Sequence, residues 1–324
     1  MRSLFKIIRR TALVLLVLIC SLAVYSAVGV WRIEQTYPPI GKFIDIDGLR
    51  IHYVDAGEGQ AIVLIHGASS TLQDFTASLF YPLAKQHRVI AFDRPGYGYS
   101  ERPWDHWPDP AEQAALIKHA LDRIGVERPI VVGHSWSGSV VLAYMLRFPE
   151  AVAGGVLIAG GSHPWKGGVD WIYEVAGWPI IGPLFAYTLV YPVGQLMLDQ
   201  AVSYVFAPDA VPADYEERAA VRLALRPDTF QANAQDLREL SDFLREQSRH
   251  YSEIKQPLLL ISGDADDVVP AWNHADRLIK QIPQAQLVIM KHTGHAPHHA
   301  HTRQVVKLIN DFAAGISVPL ISAQ

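Results

Sequence analysis

Ser135 stands in the stretch "IVVGHSWSGS", residues 130–139, between a short apolar run and a segment whose Val140, Val141, Tyr144 and Met145 recur at helical spacing. A strand that turns this abruptly into a helix forces the residue at its apex into strained backbone geometry and pushes its side chain outward. Gly133, Ser137 and Gly138 are small enough to let the backbone pass. The N-terminus of the following helix would point free N–H groups and the positive end of its dipole at the same spot. A developing oxyanion beside Ser135 would be stabilised there. Taken alone, the pattern also fits a serine that caps a buried helix.

A nucleophilic serine needs a base, and the base needs an orienting acid. The stretch "GDADDVVP" at 263–270 follows an apolar run and offers Asp264, Asp266 and Asp267. The stretch "KHTGHAPHH" at 291–299 follows another and offers His292, His295, His298 and His299. All of them stand just past an apolar run, where a parallel sheet forms its ligand crevice.

The elements that must position these residues are legible. "KFIDIDG" and "LRIHYVDAG" alternate polar and apolar residues and meet at Asp47 and Gly48, a hairpin signal. Unbroken apolar runs at 61–67, 87–96, 130–132, 154–160, 257–263 and 285–290 read as strands. Helices are expected at 111–124, where Leu116, Ala120 and Ile124 form a stripe, after Ser135, and at 303–314. Apolar strands alternating with helices predict an α/β fold, a mostly parallel sheet covered by helices on both faces. Residues 162–251 interrupt the alternation. They hold Trp165, Trp171, Trp178, several prolines and helical stretches such as 214–225 and 232–245, and they read as an inserted helical cap. The expected division is an N-terminal segment and stalk at 1–42, a core at 43–161 and 252–316, and the cap at 162–251.

Over residues 43–314 the chain resembles the α/β-hydrolase fold superfamily. "LIHGASS" resembles its HG oxyanion loop, "FDRPGYGYS" its D-x-x-G-x-G-x-S segment, and "GHSWSG" its nucleophile elbow. "GDADDVVP" resembles its acid loop and "TGH" its histidine loop. The resemblance implies Ser135 as nucleophile, His295 as general base and Asp266, at the G-x-x-D spacing, as orienting acid. It implies the backbone N–H groups of Ala68 and Trp136 as oxyanion donors. Ser137 departs from the usual final glycine of the elbow. Asp264 and Asp267 are expected to be turn or surface carboxylates. His66 is expected to brace the oxyanion loop, Asp93 and Arg94 to fix a turn, and Trp136 to line the pocket as well. His292, His298, His299 and His301 raise a metal reading, but no cysteine or carboxylate cluster accompanies them in sequence. No metal and no cofactor is expected.

Composition narrows the function. Half of the 324 residues are hydrophobic, enough for a large core, and the formal net charge of −4 lends no support to nucleic-acid binding. The single cysteine, Cys20, excludes an intrachain disulfide. Arg2, Lys6, Arg9 and Arg10 precede a charge-free stretch at 11–30. Such a helix spans roughly 30 Å, a bilayer core, and reads as a signal anchor with its basic end cytoplasmic and the body outside. The alternative is a signal peptide cut after "SLA", residues 21–23, and a secreted body. A lipoprotein is disfavoured because Ile19, not a small residue, precedes Cys20.

The first half of the cap, 174–198, is apolar almost throughout. The default is that it packs the cap onto the sheet; alternatively it forms a lid that admits a lipophilic substrate or rests on the bilayer. Pro179, Pro183 and Pro192 are expected to break it and to exclude a second span. The reading is a membrane-anchored serine hydrolase of a hydrophobic, lipid-like carboxylic ester. Carbon–carbon bond hydrolysis and cofactor-free peroxidation on the same triad are the alternatives, with a ligand-binding member that lacks catalysis as a third. Haloalkane and epoxide hydrolysis are disfavoured, because members with those activities place aspartate where this chain has Ser135.

Overall fold

The computed structural model describes residues 2–103 and 105–317. Eight strands form one sheet: β1 (Lys42–Ile46), β2 (Leu49–Ala56), β3 (Ala61–Ile65), β4 (Arg88–Phe92), β5 (Ile130–His134), β6 (Gly154–Ile158), β7 (Leu258–Gly263) and β8 (Ala285–Met290). Their spatial order is β1-β2-β4-β3-β5-β6-β7-β8. β1 and β2 pair antiparallel through a turn in which Asp47 and Gly48 take φ of 52° and 84°, the left-handed pair that a two-residue hairpin needs. β2 joins β4 antiparallel, and every pairing from β4 to β8 is parallel.

Alternation within the strands splits the core into two layers. Val63 and Ile65 face one layer with Val131, and Ile62 and Leu64 face the other with Val132. The named helices are α1 (Arg2–Thr36), α2 (Pro110–Arg123), α3 (Gly138–Arg147), α4 (Tyr191–Phe206), α5 (Pro227–Gln247) and α6 (Thr302–Ser317). Ile117 and Leu121 of α2 and Val140 and Tyr144 of α3 cover the first layer. Phe75, Leu79 and Leu83, with Val305, Ile309 and Phe312 of α6, cover the second. α2 starts where Pro110 follows Asp109, whose side chain accepts from the Glu112 N–H at 2.8 Å. The sheet and its two helical layers are those expected from the sequence.

Between β6 and β7 the described residues form helices and no strand. Two features of this cap and of α1 depart from expectation. Residues Ile181–Phe206 run on as one helical stretch through Pro183 and Pro192. A π-helical turn, Ala186–Val190, precedes Pro192 and widens the backbone where its ring would meet the carbonyl four residues back. By length and composition alone this stretch and α1 could each cross a membrane.

Second, Trp31 to Thr36 are not an unpacked stalk. α1 continues through them, since no proline intervenes before Pro38, and one stripe of the helix docks on the cap. Ile33 is buried with Tyr191, Leu223 and Leu225. A Cβ on Gly29 would lie 2.0 Å from the Tyr191 ring, so only glycine admits this approach. Glu34 pairs with Arg226 at 3.3 Å, and Tyr99 donates its hydroxyl to the Tyr37 carbonyl. The remainder of α1 is exposed along most of its length.

Candidate active site

Ser135 sits at the junction of β5 and α3 with φ of 52°, the left-handed strain that the abrupt strand-to-helix turn demands of a non-glycine residue. Its Oγ lies 2.8 Å from His295 Nε2. His295 Nδ1 lies 2.9 Å from Asp266 Oδ2. Asp266 Oδ1 accepts from the Val268 and Val269 N–H groups at 2.9 and 2.8 Å. Burial alone would raise the Asp266 carboxyl. The His295 charge and the hydrogen bonds from His295 and from the two valines outweigh it and hold the group below the usual carboxylate range. An ionised Asp266 in turn holds the proton on Nδ1 and leaves Nε2 to accept one from Ser135.

The other aspartates of the β7 loop fall outside this line. Asp264 Oδ1 accepts from the His292 N–H at 2.6 Å and its Oδ2 pairs with Lys291 at 3.4 Å, a turn role. Asp267 is exposed.

The HG loop abuts the serine: a Cβ on Gly67 would lie 3.0 Å from the Ser135 Cβ. Among the described residues the Ala68 N–H donates to no protein acceptor. Ser137 Oγ donates to the His66 carbonyl at 2.5 Å, so the residue that departs from the usual glycine ties the elbow to this loop. His66 braces the loop on both ring nitrogens, Nδ1 at 2.8 Å from the Gly67 carbonyl and Nε2 at 3.0 Å from the Arg94 N–H. Burial, helped by the Arg94 charge, lowers His66 to about 4. It therefore stays neutral, donating from one nitrogen and accepting at the other.

Asp93 fixes its turn as expected, accepting from the Leu72 and Tyr99 N–H groups and from His52. Arg94 does more than fix a turn. Fully buried, it pairs with Asp236 at 2.6 Å and donates to the carbonyls of His66 and Gly67 at 3.1 and 3.2 Å. Trp136 is buried beneath the cap, its indole N–H donating to the Asp236 carbonyl at 3.0 Å and its ring 4.0 Å from the Arg94 guanidinium. The cap also grips the histidine loop. The His295 N–H donates to the Val205 carbonyl at 3.1 Å and the Gly294 N–H to Asp209 at 2.9 Å.

The fold supplies a carboxylate that the sequence places far from the histidine run. Buried Asp74 accepts from His298 Nε2 at 2.9 Å and His299 Nε2 at 2.7 Å. These donors are close enough to share a cation. Yet both Nε2 atoms already donate to the carboxylate, and buried His298 Nδ1 has no acceptor among the described residues. A ligating imidazole normally has one. His134 bridges this cluster to the site, its Nε2 donating to the His295 carbonyl at 3.0 Å. His292 and His301 stand apart, the latter on Asp209. A cleft of about 1370 Å³ lies elsewhere, between α1, residues 96–103 and α5, and none of Ser135, Asp266 and His295 lines it.

Asp74, Asn233 and Asp236 carry no motif, and sequence reasoning misses them. The one signal for the last two is their i, i+3 spacing within a helical stretch.

The sequence pattern of the alpha/beta hydrolase fold family matches residues 60–302. The chain is 30% identical over 293 residues to a 2-hydroxymuconate semialdehyde hydrolase of Pseudomonas putida, covering 86% of this chain and 96% of that one. A solved meta-cleavage product hydrolase from Pseudomonas fluorescens IP01 superposes with a TM-score of 0.67 at 22% identity, over 86% of this chain and 99% of its own. A solved membrane phospholipase A superposes with a TM-score of 0.62 at 22% identity, over 98% of this chain and 99% of its own. The strand order, the strained serine elbow and these matches agree, and the chain belongs to the alpha/beta hydrolase fold family.

Proposed function

We propose that the chain is a serine hydrolase anchored in a membrane by α1, and that it cleaves a hydrophobic carboxylic ester through an acyl-enzyme. His295 Nε2 takes the Ser135 hydroxyl proton as Oγ attacks the carbonyl carbon. The oxyanion is received by the N–H groups of Ala68 and Trp136. The C–O bond breaks, His295 returns its proton to the departing alcohol, and the acyl group remains on Ser135. Water, deprotonated by His295, releases the carboxylic acid and restores the hydroxyl. Asp266 holds the imidazole throughout and stabilises its charged form.

The observation that carries the ester reading is the docking of α1 on the cap at Gly29 and Tyr191. It sets exposed Trp171, Trp178, Ile180, Ile181, Leu184 and Leu196 of the cap on the same body as the apolar helix. A lipid-like substrate suits that arrangement. Of the proteins compared above, only the membrane phospholipase A aligns over nearly the whole chain. The anchor orientation, with the basic end cytoplasmic and the body outside, follows from Arg2, Lys6, Arg9 and Arg10. Cleavage after Ala23 would still leave the docking stripe on the body, so the packing accommodates the secreted alternative too. We also take residues 43–161 and 252–316 as the core and 162–251 as the cap.

Carbon–carbon bond hydrolysis is the second reading, and the named curated relative, a semialdehyde hydrolase, backs it better than it backs the ester. The same triad and oxyanion donors would serve it, with a carbon rather than an oxygen leaving group. One panel separates the two: nitrophenyl esters of increasing chain length, a phospholipid, a ring-cleavage dienoate and a peroxide assay. Turnover of long-chain esters and phospholipid above the dienoate supports the ester reading. A dienoate preference of 10²-fold or more replaces it.

A further inference from the structure

We infer that Asn233 and Asp236, on one face of α5, are positioning residues that aim the two oxyanion donors, so that the oxyanion site is complete only while the cap is seated. This rests on the serine-hydrolase reading and assigns to the cap a part in the chemistry.

The peptide planes on either side of Ala68 are both held from the cap. A planar trans peptide points its N–H opposite to its C=O, so a held carbonyl fixes the direction of the N–H. The plane that carries the Ala68 N–H has Gly67 as its carbonyl. That oxygen accepts from Arg94 Nη2 at 3.2 Å and His66 Nδ1 at 2.8 Å. Arg94 is held in turn by Asp236 Oδ2 on Nη1 at 2.6 Å, with both side chains fully buried. The next plane, from Ala68 to Ser69, is held from the same helix. The Ser69 N–H donates to Asn233 Oδ1 at 2.8 Å, and Asn233 Nδ2 donates to Ser69 Oγ at 3.0 Å. Ser69 has φ of 52°, a strained conformation that those two bonds help to hold.

The second donor is tied to the same helix. Trp136, whose backbone N–H is the other oxyanion donor, hands its indole N–H to the Asp236 carbonyl. Tyr97 closes the set, its hydroxyl 3.1 Å from Asn233 Oδ1 and 3.0 Å from Asp236 Oδ2. Asn233 is 3% exposed and Asp236 0%. Two residues one helical turn apart thus reach both donors, and neither lies in the sheet domain that carries the triad.

The test is the rate at which a fluorophosphonate probe labels Ser135 in the full chain, read with its pH profile and the melting temperature. Asn233→Leu keeps the branched shape of the side chain and removes its acceptor and donor, and should slow labelling by about 10²-fold, the scale of a misaimed oxyanion donor. The midpoint of the pH profile should not move, because the His295–Asp266 pair is untouched. Asn233→Asp keeps the acceptor for the Ser69 N–H, leaves the Ser69 hydroxyl free to turn and donate to the new carboxylate, and should restore the rate to within several-fold. Trp136→Phe removes the indole N–H together with part of the ring that lies over Arg94, and should slow labelling about 10-fold; it decides if Asn233→Leu does not fold. A wild-type rate in Asn233→Leu or Trp136→Phe overturns the proposal, as does an Asn233→Asp loss equal to that of leucine. Unlabelled wild-type protein overturns the hydrolase reading and the clamp with it, whereas labelled wild type with unaffected variants overturns the clamp alone.

Discussion

At the scale of single residues, the proposed roles of Ser135 and Asp266 separate cleanly. Ser135→Ala should remove turnover by on the order of 10⁶ while leaving the melting temperature near that of the parent, since only one hydroxyl is lost at a turn. Retention of more than a few per cent of activity would sink the nucleophile. Asp266→Asn should cost on the order of 10⁴ through the wrong imidazole tautomer. Asp264→Asn and Asp267→Asn should cost far less, because neither carboxylate touches His295. A larger defect at Asp264 or Asp267 moves the acid. Ser135, Asp266 and His295 were legible because each follows an apolar strand and a glycine that mark a strand end in any sequence. Asp74, Asn233 and Asp236 were not. They meet their partners across 224, 164 and 142 positions of chain, and hydrogen bonds of that reach leave no local pattern.

At the scale of elements, the strands were legible from their unbroken apolar runs, and the hairpin from Asp47 and Gly48. The course of the chain through its prolines was not. A proline announces a lost N–H and a clash, but not that a π-helical turn ahead of it will absorb the clash. Nor does an amphipathic stripe as narrow as Ser26, Gly29 and Ile33 stand out in a helix that is apolar all round. That stripe makes a sharp prediction. Gly29→Leu should push α1 off Tyr191 and lower the melting temperature by several degrees, while the neighbouring, outward-facing Val28→Leu should not. Equal melting temperatures for the two would show that α1 does not dock. Each is measured in detergent by intrinsic fluorescence.

At the scale of the whole molecule, buried histidines set the response to acid. Burial lowers His66, His163 and His274 to about 4, and lowers His134 and His298 as well, from the ordinary imidazole value of 6.5. Each is neutral in the folded chain at a pH where the unfolded chain binds a proton. Their contribution to stability is therefore full above pH 6.5 and is lost as pH falls from there toward 4. Asp74, held well below the usual carboxylate range, adds a loss at lower pH still: burial would raise it, but the charges of and hydrogen bonds from His298 and His299 prevail. Urea midpoints measured from pH 8 to 4 should fall steeply below 6.5; a flat profile down to pH 5 would show that these histidines are not buried neutral. Removing residues 1–30 should leave hydrolysis of a short, water-soluble ester intact. Removing residues 1–37 should also uncover Tyr191, Leu223 and Leu225 and make the body prone to aggregate, which light scattering would detect.

The docking of Gly29 has one more consequence. A span of about 20 residues fills the bilayer core, so with residues 11–30 inside it this contact falls at the very end of the span, with no slack below the body. Anchored as proposed, the protein would not meet a lipid-like substrate by diffusion through water. It would search a plane, at a fixed height and with one face always turned toward the lipid, and its effective substrate concentration would be a surface density rather than a molarity.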